Sequence, residues 1–214
     1  MATGFVTAAE MREQLGGIPL DRIRMRPLPG LATEQDVLRA REVEGRTCEL
    51  VDGILVEKAM GYFESRIAAA LIYFLEKFLE ENDLGIVLAP DGTLRILADQ
   101  VRAPDVAFLS WDHFPNRLLP AEPIPAVVPD LAVEVLSEGN TQAEMNRKLD
   151  EYFTAGVAIV WIVDPELESV KVYDSRNRCR TVTIAESLDG AQVLPGFDLP
   201  LAQLFAKAGR RLGR

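Results

Sequence analysis

Two acidic residues of this chain fall inside runs that read as buried β-strands. Asp105 lies in Val101-Arg-Ala-Pro-Asp-Val-Ala-Phe-Leu109, and Glu134 in Asp130-Leu-Ala-Val-Glu-Val-Leu136. A carboxylate in an apolar strand is costly unless a cation, a metal or several hydrogen-bond donors meet it. Strands this apolar belong in a sheet covered on both faces, so neither acid has an easy route to water. Lys148 follows on a segment that reads as helix. Asp, Glu and Lys converging at a sheet are the minimum kit for holding Mg2+ or Mn2+ against a phosphodiester and activating water. A third acid, Glu64, lies on the apolar stripe of an earlier helix, three residues before Ile67 and seven before Leu71. The competing reading of Glu64 is a first-turn glutamate favoured by the helix dipole. For Asp105 and Glu134 the competing reading is a structural ion pair with Arg102 or Arg147.

The elements that must position these residues can be read from periodicity and turn chemistry. Residues 61–81 form the clearest helix, with Ile67, Leu71, Leu75 and Phe78 as its stripe. In the strand holding Glu134, alternation puts Ala132, Glu134 and Leu136 on one face and Leu131, Val133 and Val135 on the other. Thr141 with Glu144 predicts a capping box opening a helix that stops at Gly156, and residues 158–164 form the next strand. That strand-helix-strand crossover, 131–163, should be right-handed and parallel. On its helix Lys148 borders the stripe of Met145, Leu149, Tyr152 and Phe153, so its stem can run along the core edge toward the acids; the alternative is a snorkelling surface lysine. Thr33 and Asp36 approximate a second capping box for a helix over 33–42. Three hairpins are expected. The first joins 48–51 and 54–58 about Asp52-Gly53, and the second joins 85–89 and 93–97 about Asp91-Gly92. The third joins 180–184 and 192–194 about Leu188-Asp-Gly190. A terminal helix is expected over 201–211.

Composition narrows the chemistry. The chain has 214 residues, 48 % hydrophobic and 26 % charged, which is ordinary for a globular domain. Its longest apolar runs are too short to span a bilayer, and its first residues lack the pattern of a secretory signal. Cys48 and Cys179 are too few for a disulfide framework, which fits a cytoplasmic protein with free thiols. The single histidine, His113, removes Ser-His-Asp triads, HExxH helices and multi-histidine zinc sites. Hard oxygen ligands without a Cys or His cluster point to Mg2+ or Mn2+. Net charge −10 counts against strong nonspecific nucleic-acid binding, although one local basic strip would suffice for a nuclease.

Six segments then occur in order: Arg-Thr-Cys-Glu-Leu-Val-Asp-Gly from Arg46, Arg-Ala-Pro-Asp-Val-Ala-Phe from Arg102, Asp-Leu-Ala-Val-Glu-Val-Leu-Ser from Asp130, the stretch from Lys148 to Tyr152, Gly-Val-Ala-Ile-Val-Trp-Ile-Val-Asp-Pro from Gly156, and Leu-Pro-Gly-Phe from Leu194. Together they resemble the Uma-two family of restriction-endonuclease-like proteins, within the PD-(D/E)XK nuclease superfamily. The resemblance covers roughly residues 33 to 206. It implies an α/β (α+β by some schemes) restriction-endonuclease-like core, a mixed β-sheet flanked by helices with extra hairpins, that hydrolyses DNA phosphodiesters with Mg2+. Pro104-Asp105 would be the family's PD and Glu134 its second acid. Asp105, Glu134 and Glu64 would bind the metal, with Glu49 as the alternative to Glu64. The lysine expected two residues after Glu134 is Leu136, so Lys148 would supply the amine from the helix. Many members carry a histidine near the position of Glu64. The other function class is a nuclease fold without catalysis, serving as a binding or assembly module. The expected organisation is an irregular lead-in over 1–32, a nuclease-like domain over 33–206 and a tail over 207–214. A homodimer is expected, with the hairpins near 51–56 and 86–97 in its contact.

Overall fold

The computed structural model describes residues 7–59 and 61–209. Residues 1–6 of the expected lead-in and 210–214 of the expected tail lie outside that range. Helix α1 (Ala8–Gln14) is followed by α2 (Glu34–Glu44), strands β1 (Cys48–Val51) and β2 (Ile54–Glu57), and helix α3 (Tyr62–Leu79). Strands β3 (Gly85–Leu88), β4 (Leu94–Leu97), β5 (Gln100–Arg102), β6 (Val106–Ser110) and β7 (Leu131–Val135) lead into α4 (Gln142–Ala155). Then come β8 (Ile159–Asp164), β9 (Ser169–Ser175), β10 (Arg178–Val182), β11 (Ser187–Gly190), β12 (Leu194–Pro200) and α5 (Leu201–Ala208).

A six-stranded sheet ordered β10-β9-β8-β7-β6-β3 forms the centre. Its one parallel pair is β7 with β8, in register from Leu131↔Ile159 to Val135↔Val163, as the crossover through α4 requires. The other pairs are antiparallel. One face, with Val106, Phe108, Leu131, Val133, Val135, Ile159 and Trp161, packs against α3 and α5. The opposite face, with Ala107, Leu109, Ala132, Val160 and Ile162, packs against Met145, Leu149 and Tyr152 of α4 and Leu94 and Ile96 of β4. The fold is thus the mixed sheet between helices expected from the sequence. A four-stranded antiparallel sheet, β2-β1-β5-β4, lies beside it under α2.

The first hairpin is present: Val51 pairs with Ile54 across Asp52 (φ 50) and Gly53 (φ 72), both left-handed as a tight turn with the strand twist requires. The second is not a hairpin. β3 pairs with β6 in the large sheet, whereas β4 pairs with β5 in the small one. Asp91-Gly92 therefore marks a passage between sheets, because each strand follows its partner on either side of the break at Pro104. The third is also corrected. β10 pairs with β9, and β11 pairs with β12 across a reversal at Ala191 (φ 44), so Asp189 and Gly190 belong to a strand. The terminal helix ends at Ala208, short of the expected 211.

The N-terminal stretch is more ordered than expected. Thr7 and Glu10 form a capping box that starts α1, and Gly16, Gly17 and Pro19 stop it after two turns. So short a helix shows too little periodicity to be read from sequence. Met11, Leu15, Ile18 and Ile23 pack on Val51, Ile54 and Val56. The apolar side chains of the β1–β2 hairpin are thereby covered within the chain. The same segment reaches α4: Thr141 Oγ1 donates to the Gly16 carbonyl (2.5 Å), Arg147 to that of Gln14 (2.8 Å) and Arg22 to that of Gly139 (2.8 Å). Arg22 also makes a buried bidentate pair with Glu144 (2.7 and 3.0 Å). Thr141 caps α4 as expected, but the Glu144 carboxylate is diverted from the capping box to Arg22.

Candidate active site

The site forms where the two sheets part. Only Ala103, Pro104 and Asp105 join β5 of the small sheet to β6 of the large one. Pro104 has no N–H, so ladder pairing is interrupted and the chain can change sheets. Asp105 is the first residue past the break. Its N–H donates to the Val133 carbonyl (2.8 Å), and its Oδ2 accepts from the Val135 N–H (2.6 Å). The aspartate therefore grips β7 on both sides of Glu134.

Glu134 projects from the Ala132 face of β7 toward α4. There the Tyr152 hydroxyl donates to Oε1 (2.6 Å) and Lys148 Nζ to Oε2 (2.9 Å). Lys148 and Tyr152 are four residues apart in sequence, so one helix face presents both. Lys148 also donates to Glu49 Oε1 of β1 (3.2 Å). Glu49 is held further by Arg102 Nη1 (2.7 Å) and the Ala103 N–H (3.2 Å). Arg102 continues to Glu151 through Nε (2.7 Å) and Nη2. Lys58, just past β2, brings Nζ to 2.9 Å from Asp105 Oδ1. Three acids thus face three cations in a region closed to solvent: Asp105 is 3 % exposed, Glu134 5 %, Glu49 1 % and Lys148 4 %.

Burial and charge oppose each other in this cluster. Burial works against the Glu49 carboxylate, but Lys148, Arg102 and Lys58 outweigh it and hold its pKa down to about 2. For Glu134 burial dominates; Lys148 opposes it, Asp105 and Glu49 reinforce it, and the pKa rises. Burial would neutralise Lys148, yet Glu134 and Glu49 keep it protonated, with a raised pKa. A carboxyl whose folded pKa is depressed contributes stability above its unfolded pKa and loses it as pH falls through the folded value. For Glu49 that window runs from the ordinary glutamate value of 4.5 down to about 2. The stability gap between wild type and Glu49→Gln should therefore be full near neutrality and shrink by roughly 3 kcal/mol across that window. Urea unfolding at a series of pH values measures it, and a gap that stays constant would contradict the assignment.

Asp105, Glu134 and Lys148 are brought together; Glu64 is not. Glu64 sits in the first turn of α3, against the face of the sheet opposite to α4. Its carboxylate lies folded over Gly61, the N-cap, where an added Cβ would stand 2.2 Å from Oε2. That is the position favoured by the helix dipole. The side chain also lines a cleft of about 500 Å3 at the C-terminal ends of β7 and β8, with Leu136, Ser137, Thr141, Met145 and Asp164. No hydrogen bond or ion pair among the described residues joins it to Asp105 or Glu134. Neither Arg102 nor Arg147 partners those two acids: Arg102 holds Glu49 and Glu151, and Arg147 holds Glu151 and Asp52. His113 pairs with Asp130 (2.9 Å). Sequence reasoning missed Lys58, and it reached Glu49 only as an alternative. The signal for Glu49 was available, because Cys48-Glu-Leu-Val51 is another apolar strand interrupted by an acid.

The donors suit a hard divalent ion. Asp105 Oδ1 is buried and receives no aligned hydrogen bond, because Lys58 directs its donors at the Pro90 and Ala103 carbonyls (2.9 and 2.5 Å). Two carboxylates with no sulfur or imidazole beside them match the preference of Mg2+ or Mn2+ for oxygen. Among the described residues, no three His, Cys, Asp or Glu side chains gather into a complete metal cage.

Residues 35–202 match the model of the Uma2 family, described as "Putative restriction endonuclease". A crystal structure of "a putative nuclease belonging to DUF820" from Anabaena variabilis superposes with a TM-score of 0.70 at 18 % identity, covering 82 % of this chain and 98 % of that one. At that identity the likeness speaks to fold. No curated protein matches the chain.

Proposed function

Because the chain belongs to the Uma2 family of restriction-endonuclease type, we propose that it is a nuclease that hydrolyses DNA phosphodiesters with Mg2+ or Mn2+. Asp105 and Glu134 would hold the ion, which when bound supplies a polarised water and a Lewis acid for the phosphoryl oxygens. The observation that carries this reading is the assembly of Asp105, Glu134 and Lys148 at the split between sheets, with Asp105 Oδ1 lacking an aligned donor. Lys148 sets a fixed positive charge beside Glu134, where negative charge on a phosphate would be stabilised. Tyr152 orients Glu134, and Glu49 with Arg102 holds Lys148 in place. The acids are buried, so a phosphodiester reaches them only if covering segments move.

Supercoiled plasmid incubated with the purified protein tests the reading. Nicking or linearisation should require Mg2+ or Mn2+ and stop with chelator. Lys148→Met should slow it by at least about tenfold. Folded protein that leaves the plasmid intact with both ions would overturn the assignment. A second reading, a nuclease fold without catalysis, is favoured by one observation. Lys58, Lys148 and Arg102 already match Asp105, Glu134 and Glu49 charge for charge, and the cluster is almost wholly buried.

A further inference from the structure

Lys58 has no role in the proposed nuclease site, yet it is seated as carefully as the acids. Its side chain is 7 % exposed and has three oxygens around its ammonium: the Pro90 carbonyl at 2.9 Å, the Ala103 carbonyl at 2.5 Å and Asp105 Oδ1 at 2.9 Å. An ammonium has three donors, and two of them go to main-chain carbonyls. Asp105 Oδ1 receives charge from Lys58 without an aligned hydrogen bond. The positive charge of Lys58 also reaches Glu49 and Glu134, where it favours the charged carboxylates against the effect of burial, although the Glu134 pKa still rises. One ammonium therefore answers all three acids, as a bound metal ion would.

We propose that Lys58 is a tethered counter-ion holding the cation place at Asp105, and that loading of a divalent ion displaces it. This rests on Asp105 and Glu134 being the metal-binding pair. The seat explains how a closed cluster of acids stays folded before metal arrives, since an unpaired buried carboxylate is strongly destabilising. There is space for the displaced side chain. A cleft of about 280 Å3 lies beside Lys58, lined by Gly45, Arg46, Thr47, Glu57, Pro90 and Asp91, and two of those residues are acidic. Lys148 differs from Lys58 in this respect, because its aligned hydrogen bonds go to Glu134 and Glu49 themselves.

The cost of displacement lowers the apparent metal affinity in proportion to the fraction of molecules whose seat is empty. Lys58→Met and Lys58→Gln should bind Mn2+ about tenfold more tightly than wild type, read from the free-Mn2+ resonance in a titration. Metal-free, both variants should melt below wild type, and saturating Mn2+ should recover more of their melting temperature than it adds to wild type. In the wild-type protein an amine-reactive reagent should label Lys58 slowly without metal and several-fold faster with saturating Mn2+. That measurement requires no variant to fold. Wild type that binds Mn2+ with no change in Lys58 labelling would overturn the displacement. So would Lys58 variants that bind Mn2+ no better than wild type, or a Lys148→Met variant with an equal gain. Folded wild type and Lys58 variants that all fail to bind Mn2+ would instead overturn the metal-site reading beneath it.

Discussion

Replacing Arg102 with alanine should lower the stability of the fold by about 3–5 kcal/mol, a large share of the roughly 5–15 kcal/mol that holds an ordinary domain folded. Arg102 ties β5 to both β1 and α4, through Glu49 and Glu151. Burial disfavours its charge, but Glu49 and Glu151 more than compensate and raise its pKa. Removing the guanidinium leaves Glu49, which is 1 % exposed, with Lys148 and one N–H at 3.2 Å. The cost comes from leaving that buried carboxylate under-compensated more than from lost attraction, so a paired substitution separates the two. Arg102→Met with Glu49→Leu removes both charges and should recover most of the loss, since apolar replacements of buried pairs are often neutral. Urea midpoints of the single and double variants measure this. A single variant within 1 kcal/mol of wild type would contradict it, on the usual scale for surface pairs.

Asp105→Asn should reduce metal-dependent cleavage on the order of a thousandfold, about 4 kcal/mol of activation free energy. The amide keeps the shape of the carboxylate, and its oxygen can still accept from the Val135 N–H at 2.6 Å. The junction between sheets should therefore survive while the charge is lost. Mn2+ binding should weaken in parallel, and circular dichroism should remain that of the wild type. Glu64→Gln in the same assay should change cleavage far less, because Glu64 lies over its own helix N-terminus on the other side of the sheet. Undiminished cleavage by Asp105→Asn would remove the aspartate from the mechanism. A large loss with Glu64→Gln would return that residue to it.

What could be read from the sequence was set by periodicity. Acids interrupting apolar runs are conspicuous, and Asp105, Glu134 and Glu49 share that signature. Helix α4 could be read from its cap to its stop, which placed Lys148 on the edge of the stripe facing Glu134. The other cations could not be placed in this way. A lysine or arginine near a strand end has the same local sequence whether its head reaches water or a buried carboxylate. Lys58 and Arg102 are of this kind, and only the tertiary fold decides their partners. Strand pairing was hidden for a related reason. Asp91-Gly92 has good turn chemistry, but β3 and β4 part because β5 and β6 part, and the cause is a proline in another segment. For Glu64 the competing reading, a first-turn carboxylate at the positive end of a helix, describes its position.

The attachment of the N-terminal segment to α4 constrains the order in which the chain can assemble. Residues 14, 16 and 22 find their polar partners 117 to 133 positions later, at Gly139, Thr141, Glu144 and Arg147. A chain made from its N-terminus has the β1–β2 hairpin long before α4, so Met11, Leu15 and Ile18 can dock early. Arg22 must wait with an unanswered charge until Glu144 is in place, and pairing them closes a loop of 122 residues. Contacts of such span are slow to form, because loop closure must precede them. The Arg22–Glu144 pair therefore belongs to a late stage of assembly, after two thirds of the chain has been made. It cannot form until the first turn of α4 exists, by which point Asp105 and Glu134, both earlier in the chain, have been made, and Lys148 follows four residues after Glu144.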